Sequence, residues 1–362
     1  MKIFHIMSNR TWGGGEVYVL TLAKEQRENG HSVEIICADR PPVVDRFKKE
    51  GFKVTVLQMH GHINLFAPRK FARMIRKSDQ PTVVHVHRIP DTVFASKAIS
   101  LLPEDRRPSF IMTHHLIDLP FTDKKFDRPY EMLDRIICVS QKSKDTLLSV
   151  KSHIDPTKVT AILNSTKVVT TKSPENKPKD RPAMITYVGR VVKEKGVDTL
   201  IEALARVQGA TLTICGGGAS EKDEYVTYLH KLADRINVND RINWTGFTTD
   251  VTKYIGEADI AVIPSRWQEP CALVNFEFLA AGVPLVTSNT GGQPEIISEG
   301  IDGLLVPPND PKALAEAIQR LVDDPDLRKK MGEAAREKFL NRFTYDKFYQ
   351  RVMSVYDEAL GK

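Results

Sequence analysis

The chain of 362 residues is longer than one hydrophobic core of ordinary size, so its length favours two domains. Hydrophobic residues make up 41% and charged residues 27%, a balance typical of globular proteins and unlike that of disordered or fibrous chains. The formal net charge of +6 favours an anionic partner, without choosing among phosphates, acidic lipids and nucleic acid.

The cysteines and the apolar segments indicate the cellular compartment of the protein. The four cysteines lie far apart and lack the spacing of zinc ligands, which favours the reducing cytosol. No stretch approaches the roughly 18 apolar residues that span a bilayer. We therefore expect a cytoplasmic protein that rests, at most, on the inner face of the cytoplasmic membrane.

Short apolar runs alternate with amphipathic segments in the first half of the chain. The first predicted helix, at 16–29, ends before Gly30, since glycine commonly stops a helix. Strands alternating with helices indicate a parallel sheet covered on both faces. The predicted strands lie at 2–7, 32–37, 53–56, 83–86, 110–113 and 136–140.

The alternation pauses at 151–182, a segment rich in proline, lysine, serine and threonine that we interpret as the domain boundary. The alternation then resumes, and a charged helical segment is predicted at 327–360. The predicted strands lie at 184–188, 211–215, 242–245, 260–263, 285–287 and 304–306. The predicted helices lie at 197–207, 221–236, 273–281 and 311–322.

Together these elements predict an α/β protein with two doubly wound, Rossmann-like domains that face an interdomain cleft. We predict a first domain over 1–165, a second over 166–345, and a C-terminal helix over 346–362 that packs back on the first. Ligands of doubly wound sheets bind outside the carboxyl ends of the strands, so the cleft is the expected site.

Two glycine-containing loops follow a first strand and precede a helix. The sequence Gly-Gly-Gly-Glu at 13–16 lets a ligand approach the backbone and a helix N-terminus, although a plain tight turn explains it equally well. The loop at 189–196 carries Arg190 and Lys195, which suit a diphosphate as a fork and a point charge. The alternative there is a solvated basic loop.

The segment from Glu269 to Glu277 carries the strongest signal. A loop with Glu269 enters a predicted helix near Leu273, where the free N–H groups of Leu273 and Val274 and the helix dipole favour a phosphate. Glu269 beside that phosphate suits sugar hydroxyls, and Glu277, one turn into the helix, suits ribose hydroxyls. Taken singly, each glutamate is more often an ordinary helix or surface carboxylate.

These motifs resemble those of glycosyltransferase family 4. Glu269 and Glu277, eight positions apart, resemble its E-x7-E motif, and the loops at 189–196 and 13–16 resemble its diphosphate-binding and N-terminal glycine loops. Segments 302–306 and 331–336 are similar to its C-terminal half. Cys271-Ala272 departs from the Phe-Gly that is usual there, which affects the expected loop shape and sugar preference.

The resemblance implies a GT-B fold and retaining transfer from a nucleoside-diphosphate sugar. It implies that Glu269 contacts the donor sugar and Glu277 the ribose, and that Gly14 and Gly15 lie near the phosphates or the acceptor. It also implies a histidine after Thr-x at the site, which selects His115 over His114. The implied diphosphate ligands are Arg190, Lys195 and the backbones of Leu273 and Val274.

The imidazole of His115 would bind a donor-sugar hydroxyl or assist the acceptor; a packing role is the alternative. His85 and His87 share one face of a strand, but without an acidic partner nearby we expect no metal there. No Asp-x-Asp ends a strand, so Arg190, Lys195 and a helix dipole would stabilise the leaving diphosphate. We therefore expect no metal and no cofactor other than the donor substrate.

The segment 69–77 carries five basic and no acidic residues with helical apolar spacing. A basic amphipathic helix of this kind binds an anionic membrane surface, whereas the alternative is an ordinary domain helix with a solvated basic face. No recognition-helix or aromatic-platform pattern appears, so nucleic acid is not an expected partner.

We expect a retaining glycosyltransferase that acts on a glycan or lipid-linked acceptor of the cell-envelope polysaccharide or lipopolysaccharide type. A sugar-nucleotide epimerase of the same architecture and a non-catalytic nucleotide-sugar-binding protein stay open as alternatives. A glycoside hydrolase using Glu269 and Glu277 is disfavoured, because hydrolysis gains nothing from a diphosphate cradle.

Overall fold

The computed structural model describes residues 1–59, 66–118, 126–167, 181–218, 223–248 and 250–361. They form two compact units, one made of Met1–Leu163 with Asp346–Lys362 and the other of Asn164–Tyr345. The predicted domain limits stay predictions.

The first unit contains a parallel sheet in the order β3-β2-β1-β4-β5-β6-β7. Successive strands are added toward one edge from β1 to β3 and toward the other edge from β4 onward, so the strand order reverses between β1 and β4. Doubly wound sheets have their ligand crevice at this reversal. The strands are β1 (Lys2–Met7), β2 (Ser32–Cys37), β3 (Lys53–Val56), β4 (Thr82–Val86), β5 (Ser109–His114), β6 (Arg135–Cys138) and β7 (Val159–Ala161). The helices are α1 (Gly14–Glu28), α2 (Pro41–Lys49), α3 (Phe66–Arg76), α4 (Ile89–Ile99), α5 (Asp127–Glu131) and α6 (Gln141–Val150).

The second unit has the same kind of parallel sheet, in the order β10-β9-β8-β11-β12-β13. Its strand order reverses between β8 and β11. The strands are β8 (Ala183–Val188), β9 (Ala210–Cys215), β10 (Ile242–Gly246), β11 (Ile260–Ile263), β12 (Leu285–Ser288) and β13 (Gly303–Val306). The helices are α7 (Val197–Leu204), α8 (Glu224–Arg235), α9 (Thr252–Glu257), α10 (Leu273–Ala281), α11 (Gln293–Ile296), α12 (Pro311–Asp323) and α13 (Pro325–Arg342).

A last helix, α14 (Tyr345–Ala359), follows the second unit along the chain, and its residues from Asp346 onward belong to the first unit. Val352 and Tyr356 are fully buried, and the Phe348 ring lies 5.5 Å from that of Tyr18 in an edge-on contact. This helix therefore completes the core of the first unit from a distant part of the sequence.

The predicted α/β architecture is confirmed, and every predicted strand is present with its ends within two residues of the prediction. Strand β7 was not predicted, because its three residues lie in the proline-containing segment at 151–182 that we interpreted as a boundary; residues 168–180 lie outside the described part. The helix predicted at 221–236 begins at Glu224 behind the capping carboxylate of Asp223, and 221–222 also lie outside the described part.

The basic segment at 69–77 lies on α3, and the apolar side of that helix is buried in the protein. Phe71 is fully buried with its ring 5.4 Å from that of Phe4, and Ile75 is 3% exposed. Phe66, at the start of the helix, is 84% exposed. The apolar face is thus part of the core, while the basic side chains are exposed, as in an ordinary domain helix; the predicted binding to an anionic membrane surface stays a prediction. Among the described helices, none has the length and apolar character needed to cross a membrane.

Candidate active site

Two charged residues predicted to bind different parts of the donor contact each other in the second unit. The Lys195 ammonium pairs with Oε2 of Glu269, and the two side chains are 14% and 6% exposed. Ser265 Oγ donates to the same oxygen at 3.1 Å, and the Trp267 indole N–H donates to it at 3.0 Å. Because all these contacts fall on Oε2, Oε1 is the oxygen that the described residues leave to accept from a ligand hydroxyl.

Close backbone packing fixes the loop that carries Glu269. Gly291 has φ +63°, and a Cβ placed there would lie 2.1 Å from the Glu269 carbonyl oxygen. The neighbouring Gly292 N–H donates to that carbonyl at 2.8 Å. Four residues of this site were not predicted from the sequence: Ser265, Trp267, Gly291 and Gly292. The adjacent glycines after β12 were the available signal.

A second close approach fixes Lys195. Gly196, which follows it, has φ +66°, and a Cβ there would lie 2.1 Å from the carbonyl oxygen of Pro264. Pro264 comes directly after β11, so the loop at 189–196 is held against the end of that strand. Arg190 lies earlier in this loop with an exposed side chain, and its carbonyl accepts a bond of 2.6 Å from the Tyr187 hydroxyl.

Helix α10 begins at Leu273, as predicted, and ends at Gly282 in the left-handed conformation with φ +71°. The N–H groups of Leu273 and Val274 lie in its first turn, where the helix offers no carbonyl to accept from them. The amide of Asn164 donates to the Cys271 carbonyl at 2.7 Å and fixes the entry to the helix. The unusual Cys271 side chain is buried there and accepts from the Asn164 backbone N–H at 3.3 Å.

Glu277 lies one turn along α10 and is half-buried. Burial raises the pKa of its carboxyl group to about 7, because the charged form loses hydration. Hydroxyl groups of a ligand would stabilise the ionised form by donating hydrogen bonds to it.

Three predicted site residues lie in the first unit. Helix α1 begins at Gly14, and a Cβ added at Gly14 or Gly15 would meet nothing within 4 Å, so the described residues leave the backbone open to a ligand. His115 follows β5 and is half-buried, whereas His114 is 1% exposed. Burial lowers the pKa of His115 to about 3, so its imidazole is neutral at pH 7 and a poor general base.

Three histidines of the first unit approach one another more closely than the sequence indicated. Ring nitrogens of His5, His85 and His87 lie within 4.8 Å of one another, and all three side chains are buried. Each of their six nitrogens already contacts a neighbouring side chain; the partners are Gln26, Tyr356, Thr113, His115 and one another. A metal would have to displace these bonds, and the expectation that no metal is required stays a prediction.

The predicted residues thus form two groups, one in each unit. Gly14, Gly15 and His115 lie in the first, whereas the second holds Arg190, Lys195, Glu269, Leu273, Val274 and Glu277. Within the second group, the ion pair joins Lys195 to Glu269, and Glu269 lies four residues before the start of α10. This arrangement provides positive charge and N–H groups for an anion beside a carboxylate for hydroxyl groups.

Two family models match the chain in succession. The one described as Glycosyltransferase Family 4 matches residues 12–167, and the one described as Glycosyl transferases group 1 matches residues 168–338. A glycosyltransferase from Rickettsia africae ESF-5 has a TM-score of 0.86 and 24% identity, covering 99% of this chain and 98% of that one. Alr3699/HepE of Anabaena, solved with UDP, has a TM-score of 0.86 and 20% identity over 99% and 100%.

These matches define a GT-B protein with two Rossmann-like domains. The chain belongs to glycosyltransferase family 4.

Curated relatives show the same likeness over shorter lengths. The lipopolysaccharide core biosynthesis glycosyltransferase LpsE of Rhizobium meliloti is 34% identical over 167 residues, which are 46% of this chain and 47% of LpsE. Alpha-maltose-1-phosphate synthase of Mycolicibacterium smegmatis is 28% identical over 319 residues, or 78% and 80%. The chain spans about half the length of most of the curated relatives it matches.

Proposed function

We propose that the protein is a retaining, metal-independent glycosyltransferase that moves a sugar from a nucleoside-diphosphate sugar to a glycan or lipid-linked acceptor. The observation that carries the proposal is the pairing of Lys195 with one oxygen of Glu269 just before the N-terminus of α10. A diphosphate needs positive charge and N–H donors, and a sugar needs a carboxylate acceptor. Lys195 supplies the positive charge, the start of α10 supplies the N–H donors, and Glu269 supplies the carboxylate.

The leaving group is the part of the reaction that this site serves best. Transfer places negative charge on the departing diphosphate, and preorganised donors stabilise such charge. Lys195, exposed Arg190 and the N–H groups that open α10 are the donors we assign to it. Together they would provide the stabilisation that a divalent metal supplies elsewhere.

The sugar and the ribose would be held by the two glutamates. Glu269 keeps Oε1 for a sugar hydroxyl while its Oε2 is held by Ser265, Trp267 and Lys195. Glu277, with its raised pKa, would accept from the ribose hydroxyls in its ionised form. The complexes of HepE with UDP and with UDP-glucose support a donor of this class.

The acceptor side is assigned to the first unit. The open backbone at Gly14 and Gly15 and the half-buried His115 would bind the acceptor or the near side of the sugar. The name of LpsE supports an acceptor of the lipopolysaccharide type. The exposed basic side of α3 would hold the protein on an anionic membrane surface on the inner face of the cytoplasmic membrane.

A two-stage experiment tests the assignment. Thermal shift with UDP, GDP and ADP identifies the nucleotide, and the matching nucleotide sugars are then incubated with and without a pool of lipid-linked and glycan acceptors. We expect free nucleoside diphosphate to accumulate only with acceptor, and proton NMR of the product to show the donor's anomeric configuration. A rearranged nucleotide sugar formed without acceptor would establish the epimerase instead, and binding without turnover would establish a non-catalytic binder.

A further inference from the structure

A chain of hydrogen bonds leads from α1 to His115 through the interior of the first unit. Gln26 Oε1 lies 2.8 Å from His5 Nε2, and His5 Nδ1 lies 3.1 Å from His87 Nε2. His87 Nδ1 lies 3.4 Å from His115 Nε2. Gln26, His5 and His87 are at most 4% exposed, so the first two contacts are buried, and the contact with His115 is partly buried. We call these four residues the histidine chain.

The strand pattern explains why the four side chains meet. His5 and His85 are paired in the register of β1 and β4, so their side chains lie on the same face of the sheet. His87 follows His85 by two positions and His115 follows Thr113 by two, which keeps both on that face in extended chain. Helix α1 covers this face, and its Gln26 reaches the first ring.

Each neutral imidazole has one N–H donor and one bare nitrogen. Burial lowers the pKa of His5 to about 4 and that of His87 well below its ordinary value, so both rings are neutral at pH 7, as is His115. The hydrogen bonds of the three successive contacts must therefore all be donated in the same direction along the chain. If the Gln26 carbonyl accepts from His5 Nε2–H, then His5 accepts from His87, and His87 accepts from the Nε2–H of His115.

Tyr356 of α14 sets that direction by fixing the Gln26 amide. The amide NH2 donates to the Tyr356 hydroxyl at 3.2 Å, which turns the amide oxygen to His5. The hydroxyl oxygen lies 2.6 Å from His85 Nδ1. A phenol is a better donor than acceptor because its oxygen lone pair is delocalised into the ring, whereas a bare imidazole nitrogen is a good acceptor. This short contact therefore favours the orientation that the structure shows.

We propose that Gln26, His5 and His87 are positioning residues that hold His115 as the Nε2–H tautomer, with Nδ1 bare to accept a hydrogen bond from a sugar hydroxyl. The sugar hydroxyl as the ligand rests on the proposed function, whereas the Nε2–H tautomer of His115 does not. A bare Nδ1 selects hydroxyl donors and repels an anionic or carbonyl oxygen at the same position. The role assigned to His115 is thus binding and orientation rather than proton removal.

The test reads the tautomer directly. Protein labelled with 15N in histidine alone is measured by long-range proton–nitrogen correlation at pH 7.5, and His115→Gln and His114→Gln variants assign the signals. We expect wild-type His115 to show a single Nε2–H pattern. Gln26→Leu removes the acceptor at the start of the chain, and Tyr356→Phe removes one hydroxyl and frees the amide to turn. Both should convert His115 to a mixture of tautomers and lower kcat/KM about tenfold, the loss of roughly one hydrogen bond.

Thr21→Val, which removes a hydroxyl of α1 that donates to the Val17 carbonyl outside the histidine chain, is the control and should keep the Nε2–H pattern. His153 and His230, outside the histidine chain, should be unchanged throughout. An Nδ1–H pattern in the wild type, or an unchanged single pattern in both Gln26→Leu and Tyr356→Phe, would overturn the inference. A tautomer that responds as expected in a protein without any transfer activity would uphold the positioning chain and refute the proposed function alone.

Discussion

At the scale of single residues, the described contacts of the Glu269 carboxylate all fall on Oε2, which leaves Oε1 for the proposed sugar hydroxyl. Oε2 accepts from Ser265 and Trp267 and pairs with Lys195, so the carboxylate is oriented before any donor arrives. Such preorganisation avoids the cost of reorienting dipoles during the reaction. The negative charge of the Glu269 carboxylate should therefore matter more for activity than the size of its side chain.

Glu269→Gln tests that point, because it keeps the shape and removes the charge. We expect kcat/KM to fall about a hundredfold, or roughly 2.7 kcal/mol of transition-state stabilisation, with the circular dichroism spectrum unchanged. Ser265→Ala removes one of the neutral donors and should cost about tenfold or less. Steady-state release of nucleoside diphosphate measures both. Equal activity in Glu269→Gln and wild type would refute the assignment of the sugar to Glu269.

The raised pKa of Glu277, together with its proposed contact with the ribose, predicts that donor binding depends on pH. The carboxyl holds a proton in the folded protein up to about pH 7, whereas in the unfolded chain it ionises near 4.5. Its contribution to stability is therefore present below pH 4.5 and lost as pH rises through 7. The ribose hydroxyls of the proposed donor would bind the ionised form, so nucleotide affinity should rise about tenfold between pH 6 and pH 8.

Glu277→Gln should abolish both of these pH dependences. Above pH 7 we expect the variant to be more stable than wild type by up to about 3 kcal/mol, since one pKa unit corresponds to roughly 1.4 kcal/mol. Its weakened nucleotide binding should vary little with pH. Denaturant melts and calorimetric titration at pH 6 and 8 measure the two effects. Parallel pH profiles in variant and wild type would show that another group titrates.

At the scale of elements, the loop before α7 is held by a glycine that tolerates no side chain. Gly196→Ala would force φ +66° on an alanine and place its Cβ 2.1 Å from the Pro264 carbonyl. Gly209→Ala is the matched control, since it has φ +69° but its Cβ would lie 3.7 Å from Val322. We expect Gly209→Ala to cost about 1–2 kcal/mol of stability and keep its activity.

Gly196→Ala should cost more than its control and should also lose donor affinity, because the loop carrying Lys195 must move. Thermal melts and calorimetric titration with the nucleotide compare the two variants. Equal stability and equal affinity would show that the close approach to Pro264 relaxes without moving Lys195.

Helix α3 gives a second test at this scale. Its apolar side is occupied by the core of the first unit, so any membrane binding must use its exposed basic side. A Lys70→Glu/Arg73→Glu variant should lose most binding to anionic vesicles, each charge contributing about 1 kcal/mol. Lys329→Glu/Lys330→Glu changes the net charge equally on α13 and should bind like wild type. Co-sedimentation that is equal for neutral and anionic vesicles would remove the membrane proposal.

At the scale of the whole molecule, the charges assigned to the diphosphate belong to the protein itself. We therefore expect the initial rate of transfer to be unchanged in excess EDTA after exhaustive dialysis, and unchanged again when magnesium is restored. Thermal melts in both buffers control for an effect on folding. A rate that falls with EDTA and recovers with magnesium would show that a metal completes the site.

Much of the architecture was predictable because its signals are local. Helix α10 begins and ends where predicted, since the end is set by the left-handed Gly282 and the start by the loop before Leu273. The short strand β7 carries no comparable signal in its three residues, and its pairing with β6 depends on the assembled sheet.

The candidate site was predictable only in part. The types and order of its residues are local, but the contact of Lys195 with Glu269 joins positions 74 residues apart. The histidine chain was missed for the same reason, because His5 and Gln26 reach His87 only through the tertiary packing of β1 and α1. The apolar spacing of α3 was visible, whereas the partner that covers it was not.

The placement of α14 has a consequence for how the protein is made. About 180 residues of the second unit are synthesised between Leu163 and Asp346, which at about 5–20 residues per second takes roughly 10–40 s on the ribosome. During that interval the Gln26 amide and His85 have no Tyr356 hydroxyl to meet. The second unit is continuous along the chain, so we expect it to complete its core first although the ribosome begins it later.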